Sequence, residues 1–127
     1  MIRHCLVLLL LVATSLVQAH DARPNFVQIT ETEPNTFSVS CKVPSSIPGG
    51  DLPYPTFPDG CVSERQPAWQ QAGAEYIGQQ VFQCNEPLSG RVVGIEFPVI
   101  NPSLSTLYKI KLVNGEAHVR ILKPSES

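Results

Sequence analysis

Beyond its first nineteen residues the chain has no long apolar run, and no segment of it holds a sustained 3.6-residue apolar period. The first absence leaves no later stretch that approaches the roughly 20 apolar residues of a membrane-spanning helix. The second argues against amphipathic helices. Charge is sparse at 16%, with no basic patch and no interleaving of aromatic and basic residues, so nucleic acid is excluded as an expected partner. There is no G-x-S-x-G elbow, no H-E-x-x-H and no glycine-rich phosphate loop, and scattered acids such as Asp51, Asp59 and Glu64 are ordinary solvated charge. The expectation is a protein that is not an enzyme, with no catalytic residue and no small-molecule substrate to name.

What is present begins with a leader. Arg3 supplies a positive start, an apolar run opens at Cys5 to Leu11, and Val17-Gln18-Ala19 places small residues at the −3 and −1 positions of a cleavage site. Residues 1–19 are therefore expected to be a signal peptide, and residues 20–127 a single periplasmic or secreted domain. Loss of Arg3 takes the formal net charge from −2 to −3. Twelve scattered prolines favour a loop-rich β domain over helices.

The strand signals are short. In "NTFSVSCKV", Phe37, Val39, Cys41 and Val43 point one way and Ser38, Ser40 and Lys42 the other, the pattern of a half-buried strand. "NFVQITE" precedes it across a Glu33-Pro34-Asn35 turn. "YIGQQVFQC" and "RVVGIEF" flank a turn-rich "NEPLSG". In "TLYKIKLVNGEAHVRIL", two β-rich runs flank Asn114-Gly115, the dipeptide of a type I′ hairpin turn. The alternation there predicts Ala117, Val119 and Ile121 inward, and His118 and Arg120 outward. The fold class implied is all-β, an antiparallel immunoglobulin-like sandwich of about six to eight short strands.

"PSSIPGGDLPYPTFPDG" at residues 44–60 carries five prolines and three glycines, which excludes a central strand. It reads as a long ordered loop across one edge or end of the sandwich. Tyr54 and Phe57 either pack it down or form a binding surface, since such rings commonly anchor interfaces.

Three cysteines follow the predicted cut, Cys41, Cys61 and Cys84. Cys41 lies on the apolar side of its strand and reads as a small buried hydrophobe. Cys61 and Cys84 border turns and make the better disulfide, although Cys41 with either remains open. A Cys61–Cys84 bridge closes a loop of about 24 residues, a stabilisation of about 3 kcal/mol on the chain-entropy estimate. No C-x-x-C spacing supports a thiolate metal site.

Cleavage after Ala19 exposes His20 as a free N-terminus, whose amine and imidazole together chelate Cu(II). His118 is the candidate third nitrogen. Copper is thus the one cofactor worth testing, although Arg120, two residues from His118 on the same face, disfavours a cation there.

"AHDARPNFVQITETEPNTFSVSCKVP" resembles the opening of the extracytoplasmic domain of HupE/UreJ-like membrane proteins. Those typically start A-H-x-x-R-P and run through an aliphatic strand and polar turn to a strand ending W-K-V-P. Further matches are Cys61, "QVFQC" with Cys84, "PLSG" with Leu88 and Gly90, and a late "NG" hairpin closing at Leu122-Lys123-Pro124. The resemblance places Cys41 where the pattern has tryptophan and so favours Cys61–Cys84 as the bridge. Family members continue into a polytopic membrane segment that residues 1–127 lack, so a metal-permease or accessory role is not implied. What is implied is a periplasmic module whose partner is a HupE/UreJ-like membrane protein.

Overall fold

The computed structural model describes residues 23–63, 65–99 and 104–124. The leader, His20 and Asp21 lie outside these. Nine strands occur among the described residues: β1 (Asn25–Glu33), β2 (Thr36–Pro44), β3 (Tyr54–Thr56), β4 (Cys61–Ser63), β5 (Ala68–Ala72), β6 (Glu75–Cys84), β7 (Gly94–Glu96), β8 (Thr106–Lys111) and β9 (Ala117–Leu122). The protein is all-β, as its alternation and proline content imply.

The β1–β2 hairpin organises the large sheet. Asn35 adopts a positive φ of 63° at its turn, and the Asn35 N–H donates to Glu31 Oε1 at 2.9 Å. Asparagine tolerates that backbone conformation better than most residues. Register then follows from the apolar alternation: Val27 faces Cys41 and Ile29 faces Val39, all four buried. β6 extends the same face, with Phe82 opposite Phe37 and Gly78 opposite Cys41.

The large sheet has the order β4-β6-β2-β1-β8-β9, with β5 sharing the β6 edge with β4. Its pairings are antiparallel except one. β8 lies parallel to β1, Val27 beside Tyr108 and Ile29 beside Ile110, and the two strands start at the same end, where the Asn25 N–H donates to the Ser105 carbonyl at 2.9 Å. A purely antiparallel sandwich is therefore corrected to a mixed one. A parallel pair requires a long crossover, here supplied by everything between β1 and β8.

The second layer is small. β3 pairs with β7, Pro55 opposite Ile95, and covers only part of the large sheet. Proline is tolerated because, among the described residues, β3 has no strand on its other side. The 44–60 segment is ordered as expected and includes a 3-10 turn at Gly49–Asp51. It lies over the sheet face, where Ile47, Leu52 and Phe57 pack on the core. Phe37, Ile29, Ile95, Val27, Val39 and Val43 are fully buried between the layers. Each such aliphatic or aromatic side chain stabilises the fold by about 1.5–3 kcal/mol relative to exposure.

Candidate binding surface

The residues singled out from the sequence do not, where described, converge on one place. Cys61 and Cys84 lie directly opposite one another in the β4–β6 ladder and are bridged, with S–S 2.06 Å. Cys41 is the free thiol and is buried; burial pushes its pKa up to about 12. Its neighbour Tyr108 also titrates above its ordinary value, first through burial and then through the charge of Cys41. The Tyr108 hydroxyl donates to the Gly94 carbonyl at 2.8 Å, which ties the large sheet to the small one.

The two rings of the 44–60 segment separate. Phe57 stacks on Phe82, with ring centroids 4.0 Å apart and planes 10° apart, and meets Phe37 at a tilt. It is half-buried and packs against the core. Tyr54 keeps 41% of its surface exposed. Desolvation, then a hydrogen bond to Glu96 and that carboxylate's charge, raise its phenol above the usual range.

The β8–β9 hairpin departs most from expectation. A two-residue Asn114-Gly115 turn would set Ile110 against Val119 and Tyr108 against Ile121, with both apolar residues inward. Instead the Leu112 N–H donates to the Glu116 carbonyl at 2.8 Å, and the Gly115 N–H to the Leu112 carbonyl at 3.0 Å. The loop is the three residues Val113, Asn114 and Gly115, and of these only Gly115 has positive φ, at 92°. This is the turn-plus-left-handed-glycine form, not type I′. The added residue moves the register by one: Ile110 faces His118 and Tyr108 faces Arg120. A one-residue slip exchanges the two faces of a strand. The expected orientation is thus reversed. His118 and Arg120 lie on the side of the sheet that holds the core, while Val119 and Ile121 are 64% and 67% exposed on the other.

The consequence is a groove. β7 meets the inner face of β8 through the Tyr108–Gly94 hydrogen bond, and the segment 88–93 runs beside the rest of that face. A cavity of about 440 Å³ has Tyr108, Ile110 and Leu122 among its lining residues, with Arg91, His118 and Arg120 as its cationic or ionisable members. A second, of about 340 Å³, shares Arg91, Val93, Ile110 and His118 and continues towards Leu88, Leu112 and Glu116. Arg91 holds the segment in place: its Nη2 donates to the Asp59 carbonyl, and its Nη1 lies 3.7 Å from Glu86 Oε2. That Nη1 is buried and makes no hydrogen bond.

For copper, the arrangement offers His118 Nε2 at 3.7 Å from Glu116 Oε2, both well exposed, with Arg120 on the same face. Among the described residues no three His, Cys, Asp or Glu side chains gather to hold a metal. A histidine chelate would therefore depend on His20, which lies outside them. Nor does any helix among the described residues have the length and apolarity to cross a membrane. No family model, curated protein or solved structure matches the chain.

Proposed function

We propose that the chain is a non-enzymatic periplasmic binding module that acts by contact with a polytopic membrane protein of HupE/UreJ-like type. The observation that carries this reading is the incomplete second layer. Beyond the buried Tyr108, the inner face of β8–β9 leaves Ile110 and Leu122 half-buried in a groove beside Arg91, His118 and Arg120. Burying such surface is favourable in proportion to its apolar area, so an open groove of this kind is a surface on which a partner gains free energy. The leader-like N-terminus supports the compartment, and the sequence resemblance supports the class of partner.

The test is capture from native membranes. The mature domain, carrying a photo-crosslinker in place of Val92, an 83% exposed groove residue, is expected to crosslink to one polytopic protein of the same cells. A domain that crosslinks to no membrane protein there or from other faces overturns the proposal.

A further inference from the structure

The free edge of β9 carries more specific information than the groove alone. β9 ends the large sheet, with β8 on one side and no strand on the other among the described residues. The Leu112–Glu116 hydrogen bond fixes the parity of the hairpin ladder. Opposed residues alternate between bonded and non-bonded pairs, so 112/116, 110/118, 108/120 and 106/122 are the bonded pairs. The N–H and C=O groups of His118, Arg120 and Leu122 therefore point to β8. Those of Ala117, Val119 and Ile121 point away from the sheet.

We propose that β9 receives an extended peptide strand from the partner in which acidic residues alternate with apolar ones. This rests on the contact-module reading and names the surface and the chemistry of its partner. The outward backbone groups of Ala117, Val119 and Ile121 present the alternating donors and acceptors with which an added strand pairs. On the groove side, residues of the incoming strand fall opposite His118 and Arg120, with Arg91 across the groove; the acids there are Glu116, beside His118, and Glu86, beside Arg91, which leaves Arg120 as the cation the incoming acid meets first. On the other side they fall opposite Val119 and Ile121, both exposed and apolar, with Lys109 paired to Val119. Opposite charges facing each other across a ladder are favourable and like charges are not.

The same charges argue against a second copy of the chain as occupant. An antiparallel β9–β9 pair centred on Val119 sets each Arg120 against His118, with no carboxylate opposite it, and one centred on Arg120 sets the two arginines face to face. Inward-pointing charge is a common protection of an open edge against self-pairing. An acidic strand is the occupant that turns this protection into attraction.

The experiment uses the mature domain and two short capped peptides, one alternating glutamate with valine and the other lysine with valine. Amide exchange is followed residue by residue. In the free protein, the amides of Ala117, Val119 and Ile121 exchange fast and those of His118 and Arg120 slowly. With the glutamate peptide, the first three are expected to slow by roughly tenfold or more, while the lysine peptide leaves them unchanged. Arg120→Glu is expected to exchange the preference of the two peptides, a change of roughly tenfold in relative affinity. Val119→Pro removes one outward donor and no bond to β8, so it keeps the hairpin's own protection and loses the peptide.

Absence of protection at these three amides with the glutamate peptide overturns the strand assignment, and equal protection by the lysine peptide overturns the acidic one. Dodecanoate that shifts Tyr108, Ile110 and Leu122 while the peptide protects nothing makes the groove a small-molecule site and also overturns it. Membrane capture separates this proposal from the one beneath it. A Val119→Pro domain that still captures its membrane partner leaves the module reading standing and removes β9 as the surface.

Discussion

The ring of Phe57 lies almost flat on that of Phe82, 4.0 Å between centroids and 10° between planes. One ring comes from the proline-rich 44–60 segment and the other from β6, which is itself closed onto β4 by the Cys61–Cys84 bridge. Aromatic pairs in contact contribute about 0.5–1.5 kcal/mol beyond their buried area. The stack is thus one of the contacts that hold the second layer down, and it sets the first prediction. Phe57→Ala is expected to lower unfolding free energy by roughly 2–4 kcal/mol, somewhat less than a fully buried ring costs. Tyr54→Ser, at a 41% exposed position, should cost less than about 1 kcal/mol. Urea unfolding of the two variants checks the contrast. Equal losses would place both rings in the same environment, against the packing described.

The bridge makes a second prediction. Cys61 and Cys84 are 23 residues apart in sequence, and loss of a loop closure of that size removes about 3 kcal/mol. Replacing both with serine should lower the urea midpoint. Peptide mapping of the unreduced wild-type chain should recover one linkage, with Cys41 outside it.

Cys41 yields the pH dependence. Its thiol is held at about 12 against an ordinary value of 9.0, because burial penalises the thiolate. The folded state keeps the proton more tightly than the unfolded state. Its contribution to stability is complete below about 9 and is lost as pH rises towards about 12. Stability of the wild type should therefore decline across that window more steeply than stability of Cys41→Ala. Alkylation by iodoacetamide should be slow at neutral pH and speed up only with unfolding, since the thiolate is the nucleophile. Fast labelling of native Cys41 at neutral pH would contradict its placement.

Gly78 supports a fourth prediction. It lies opposite Cys41 on β2 and Trp69 on β5, and a Cβ added there would come within 2.8 Å of the Trp69 ring. Gly78→Ala must lift the indole off the sheet, at a cost of about 1–3 kcal/mol. Since the chain has one tryptophan, its fluorescence reports this directly: emission should shift to the red as the ring gains solvent.

Local sequence by itself determined the all-β class, the β1–β2 hairpin, the burial of Cys41 and the better disulfide pair. These rest on short-range facts: an alternation of period two, a turn residue that tolerates positive φ, and cysteines bordering turns. β5 escaped that reading because "AWQQA" has no alternating face and is exposed at four of its five residues. The parallel pairing of β8 with β1 escaped it because partner choice between strands distant in sequence leaves no periodic mark on either. The face presented by His118 turned on a single residue of loop length. Asn114-Gly115 is compatible with a two-residue or a three-residue hairpin, and the two differ by one step of register. The bond from Leu112 to Glu116 selects the longer loop, and with it Tyr108 and Ile110 meet Arg120 and His118 rather than Ile121 and Val119. The tertiary structure alone decided which residues line the groove. A strand's two faces are equivalent to its own backbone, and only the sheet it joins tells them apart.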